Sequence, residues 1–117
     1  ISGQLPMKDG SVAATGHLGR DVALKAGQDA AKLCALNILA QAKTALGELD
    51  RITQLLRLNG FVSAAPGFAD HPKVINGASD LLVESLGDKG RHPRIAGGST
   101  SLPLNAAVEI DAVFSID

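Results

Sequence analysis

Between Val22 and Leu46 the chain carries a helical stripe of mostly small side chains. Ala31, Ala35, Ile38, Ala42 and Ala45 recur at spacings of four and three. Such a stripe lets a helix lie close to a flat partner. Asp21 is placed to cap its start and Gly47 its end. The run from Thr53 to Val62 follows at once, with Leu55, Leu56, Leu58, Phe61 and Val62 apolar. That density of apolar residues predicts a central strand buried on both faces. A close-packing helix followed by a buried strand fits a helix-on-sheet architecture.

The remaining elements fit around this pair. Ile1 to Leu5 reads as the end of a strand, and Pro6 to Gly10, with Asp9-Gly10, as a turn. Val12 to Thr15 is a short strand and Gly16 to Gly19 a loop. Ala64 to Pro72 is a loop around Pro66-Gly67. Val74 to Leu86 is a second helix with Ile75, Leu82 and Leu86 on one face, closed by Gly87 to Gly90. Arg94 to Leu102 and Ala107 to Ile116 are the last two strands. The order strand, strand, helix, strand, helix, strand, strand predicts an α+β fold. It is one domain over residues 1–117, with two helices on one face of a mixed sheet. The chain starts inside a strand without an initiating Met, so a further strand is expected upstream of Ile1.

Composition narrows the function. The aromatics are Phe61, Phe68 and Phe114 alone, and the net charge is −1. This leaves neither a platform for stacking bases nor an electrostatic footprint for nucleic acid or an anionic membrane. Cys34 is the single cysteine, in an apolar helical run, and reads as a buried small hydrophobe. His17, His71 and His92 lack metal-ligand spacing. His17 and the basic run Arg91-His92-Pro93-Arg94 read as solvated loop. Gly97-Gly98 is too short to cradle a phosphate, and neither Ser2 nor Ser99 has a histidine partner in sequence. With no signal-peptide pattern and no long apolar run, a cytoplasmic protein is expected.

Two charges stand in apolar or small surroundings. Arg94 opens the run Ala96-Gly97-Gly98-Ser99-Thr100, and Glu109 lies between Val108 and Ile110. A guanidinium fork suits a carboxylate ligand. A glutamate can orient a water or move a proton. Charges that alternate along a strand otherwise face solvent.

Pro93-Arg94, Leu102-Pro103 and Val108-Glu109-Ile110 together resemble the C-terminal signature of the YjgF/RidA family of small trimeric imine deaminases. In that signature a small residue or proline precedes an arginine and an apolar strand, then Leu-Pro, then an apolar-Glu-apolar strand. Ser2-Gly3-Gln4, Phe61-Val62, Phe68 and Asn76 match further family positions. Departures fall at Ile95, Gly97 and Thr100. Ala96 stands where many members carry cysteine, and the loop between Phe68 and Asn76 is longer than in the archetypal members.

The resemblance implies a chorismate-mutase-like fold assembled as a homotrimer, with sites at subunit interfaces and no cofactor. It implies hydrolysis of reactive 2-imino acids to 2-oxo acids and ammonia. Arg94 would hold the substrate carboxylate and Glu109 would position the water. Asn76, Ala96 and backbone near Gly3 would contact the ligand, and the upstream segment often adds a tyrosine. Two other readings use the same cleft: a non-catalytic trimer that binds a small carboxylate metabolite, and an endoribonuclease, which the balanced charge disfavours. With six strand residues between them, Arg94 and Glu109 are expected roughly 20 Å apart, toward opposite ends of the sheet, and so to serve one pocket only from different subunits.

Overall fold

A computed structural model describes residues 1–117. A small antiparallel hairpin comes first, β1 (Met7–Lys8) and β2 (Ser11–Val12). Asp9 and Gly10 both take positive φ in its turn, at 53° and 83°. This is the primed geometry that suits the twist of two short strands. Helix α1 (Leu24–Leu46) follows, then a single 3-10 turn and the long strand β3 (Ile52–Ser63). Helix α2 (His71–Leu86), a second 3-10 turn, β4 (Arg94–Ser99), a third 3-10 turn and β5 (Val108–Ile116) complete the chain.

The sheet order is β4-β3-β5, with β4 parallel and β5 antiparallel to β3. The α+β class, the mixed sheet and the helix pair are as the pattern predicts. Residues 1–4 lie along the outer edge of β5, where Gln4 exchanges backbone hydrogen bonds with Ile110 and Ile1 with Ala112. One sheet edge is thereby covered. The outer edge of β4 has no backbone partner in the chain.

Both helices pack on one face. Ala31, Cys34, Ala35 and Ile38 of α1 join Val74, Ile75, Ala78 and Leu82 of α2 over Leu58, Val62, Val108, Ile110 and Ala112 of the sheet. Small side chains permit this closeness. A Cβ on Gly60 would sit 2.6 Å from the Ile75 side chain, and one on Gly77 would collide with the Gln28 backbone of α1. Cys34 is buried, its thiol pushed far above the usual range by desolvation, as an inert core residue should be.

Several boundaries differ from expectation for local reasons. The first helix begins at Leu24, with extended Ala23 as its cap. Asp21 does not cap it, because its carboxylate accepts hydrogen bonds from the His17 amide and the Arg20 guanidinium in the preceding turn. Those two donors, Arg20 first, hold the Asp21 carboxyl below its usual range. His17 is not a solvated side chain: its Nε2 donates to the Thr100 carbonyl at 2.7 Å and its Nδ1 accepts from Arg20 at 2.9 Å. It ties this turn to the segment after β4.

The second helix starts at His71 because Pro72 fits a first turn, where its missing N–H costs nothing. Strand β4 ends at Ser99 rather than Leu102. The largest departure is β3, which is buried on its helix face only. On the other face Phe61 is 37%, Ile95 48% and Val113 50% exposed.

Candidate functional site

Strand register decides how the two signature charges relate. Arg94 pairs with Leu58 and Glu109 with Phe61. They are offset by three residues along β3, which lies between β4 and β5. Their Cα positions are therefore about 14 Å apart, not roughly 20 Å, and not at opposite ends of the sheet. The shorter separation arises because β3 sets the register of both neighbours. What separates the side chains is the pleat. Arg94 shares the helix face with buried Leu58, whereas Glu109 shares the open face with exposed Phe61.

Arg94 reaches α2. Its Nη1 donates to Ser79 Oγ at 3.0 Å. Its Nη2 donates to Asn76 Oδ1 at 2.9 Å and to the Pro72 carbonyl at 3.3 Å. All three acceptors are neutral. The chain's ion pairs engage Asp21, Asp29, Asp70, Asp88 and Asp117, and none includes Arg94 or Glu109. The guanidinium is thus held by three hydrogen bonds, and no acidic side chain pairs with it. It faces a cavity of about 310 Å³ lined by Asn76, Ser79, Val83, Arg91, His92 and Arg94, without a carboxylate among them. Asn76, Ser79 and Val83 follow one another at i, i+3 and i+7 along α2, which puts them on one helical face.

Of the residues expected at one site, Arg94 and Asn76 therefore meet. Ala96 shares the helix face with Arg94 but pairs with Gly60 and flanks the core, outside the cavity. The alternation of β4 sends it inward, where a small side chain is needed. Glu109 and Gly3 form a second, separate pair: the carboxylate lies so close to Gly3 that a Cβ there would collide with its Oε2. Next to it on the open face, Asp111 is engaged through Asn59 at 2.8 Å, which leaves Glu109 as the carboxylate without a hydrogen-bonding partner.

Sequence reasoning missed Ser79 and His92. His92 Nε2 lies 2.9 Å from Ser79 Oγ, and His92 Nδ1 contacts the Gly90 carbonyl. The i, i+3 spacing of Asn76 and Ser79 was the available signal. The turn that returns His92 to α2 depends on tertiary packing at buried Gly90, where a Cβ would strike the Leu82 carbonyl.

No helix is long and apolar enough to cross a membrane. The profile of the family described as "YjgF/chorismate_mutase-like, putative endoribonuclease" matches residues 1–115. Protein TCP17 of Trypanosoma cruzi is 44% identical over 118 aligned residues, spanning 100% of this chain and 74% of that protein. Atu1372 of Agrobacterium tumefaciens, a solved structure of unknown function, is 55% identical with a TM-score of 0.99, covering 100% of this chain and 75% of that one. A solved "putative endoribonuclease" of Shewanella oneidensis is 41% identical with a TM-score of 0.90, covering 93% and 72%. With the fold, the signature and these relatives in agreement, the chain belongs to the YjgF/chorismate-mutase-like family.

Proposed function

We propose that the protein is a cofactor-free hydrolase of small 2-imino acids, releasing 2-oxo acids and ammonia at sites shared between the subunits of a homotrimer. One observation carries the reading: Arg94 is fixed by three neutral oxygens and presents an uncompensated positive charge to a cavity without acids. A preorganised guanidinium of that kind binds a carboxylate at little cost in reorganisation. Asn76, held by Arg94, retains its amide N–H groups for the ligand.

Water attack on the C=N carbon needs a base on the far side of the substrate. Glu109 is the unpaired carboxylate suited to it, and it lies on the opposite sheet face of the same chain. A second protomer, bringing its Gly3–Glu109 pair to the Arg94 cavity, completes the arrangement. The exposed apolar residues Phe61, Ile95 and Val113 and the bare edge of β4 favour such an assembly. Positioning and charge complementarity then supply the catalysis.

The test is direct turnover. Ammonia release from freshly generated 2-iminopropanoate should accelerate in proportion to added protein. No acceleration, with carboxylate binding intact, would replace this reading by that of a metabolite-binding trimer. The endoribonuclease label of the family and of the Shewanella structure gains little support from a chain of net charge −1 with three aromatics.

A further inference from the structure

The cavity beside Arg94 also holds a nucleophile–base pair that imine hydrolysis does not use. His92 Nδ1 faces the Gly90 carbonyl, an acceptor only, so the ring proton resides on Nδ1. Neutral Nε2 then offers its lone pair, and the Ser79 hydroxyl donates to it at 2.9 Å. This is the nucleophile, base and orienter series of serine acyl transfer, with a backbone carbonyl orienting the imidazole. Arg94 Nη1 lies 3.0 Å from the same Oγ, where its charge stabilises the oxygen as its proton leaves. The three side chains all line the cavity, so the hydroxyl is accessible to a ligand. Arg91 lines it too, its Nε paired with exposed Asp88 at 3.2 Å. A carboxylate on the acyl group would find a cation there.

We propose that Ser79 is a nucleophile and His92 its general base in the hydrolysis of small carboxylic esters whose acyl group bears a second, anionic carboxylate. The Ser79 oxygen bonds to the ester carbonyl carbon as its proton passes to His92 Nε2. Arg94 and the Asn76 amide N–H groups stabilise the oxyanion. The C–O bond to the alcohol breaks, and His92 returns the proton to the departing oxygen. Water, deprotonated by His92, then attacks the acyl carbon; the bond to Ser79 Oγ breaks, His92 Nε2 returns the proton to that oxygen, and the diacid is released. No other reactant is required.

The experiment uses the mono-4-nitrophenyl ester of fumaric acid, whose trans carboxylate cannot reach its own ester carbonyl, and contains no imine, so its outcome is independent of the deaminase reading. The wild-type protein should release nitrophenol in an initial burst and carry one fumaryl group on the peptide containing Ser79. Ser79→Ala should abolish both, and His92→Asn should lower the acylation rate about 10²-fold or more. A fluorophosphonate should label Ser79 in the folded wild-type protein, a readout that needs no variant. Nitrophenol release unchanged in Ser79→Ala, acylation mapped elsewhere, or wild-type Ser79 left unlabelled would each overturn the proposal.

Discussion

Arg94 is the residue on which the functional reading turns, and its environment sets what substitution should do. Arg94→Ala removes a charge-assisted contact worth on the order of 1.5–3 kcal/mol, so imine turnover should fall by at least about tenfold. Arg94→Lys keeps the charge but loses the fork that spans Ser79 and Asn76, and should rescue only part. Steady-state ammonia release measures both, and equal rates in all three proteins would contradict the assignment. Glu109→Gln keeps the shape beside Gly3 but removes the proposed base, and should lower kcat about 10²-fold with a smaller change in KM. An unchanged kcat would remove Glu109 from the chemistry.

Arg94, Asn76, Gly3 and Glu109 were legible in the sequence because local patterns carry them, on Pro93-Arg94, the start of α2, Ser-Gly-Gln and an apolar-Glu-apolar strand. The Ser79–His92 contact was not. It joins residues whose meeting depends on the turn between α2 and β4, and a short basic run gives no local sign of it.

At the scale of elements, helices set against a sheet were readable from periodicity, and the boundaries were less so. Asp21 carries the composition of a cap, yet its neighbours His17 and Arg20 in the preceding turn claim its carboxylate and the helix starts later. The close crossing of α1 and α2 rests on Gly77, whose missing Cβ leaves room for the Gln28 carbonyl. A backbone atom cannot swing aside as a side-chain tip can. Gly77→Ala should therefore destabilise the protein by about 1–3 kcal/mol despite alanine's better helix propensity. Denaturant unfolding with an unchanged m value measures this. A midpoint equal to or above the wild type would show that the helices can separate without cost.

For the whole molecule, the apolar residues Leu55, Leu56, Leu58, Phe61 and Val62 of β3 suggested burial on both faces, and within one chain only the helix face is buried. On the proposed reading, partner subunits cover the open face. Light scattering at micromolar concentration should therefore return three times the 12.0 kDa chain mass, and a monomer mass would remove the shared site.

The most direct test of the shared site mixes two impaired proteins. Arg94→Ala supplies an intact Glu109 and Glu109→Gln an intact Arg94. If each site takes its arginine from one subunit and its glutamate from another, random reassembly of equal amounts makes about one quarter of the sites wild type. Imine hydrolysis should then recover to about that fraction of the wild-type rate, above the residual activity of either parent. Reassembled mixtures no more active than the average of their parents would place Arg94 and Glu109 in separate roles and contradict the account.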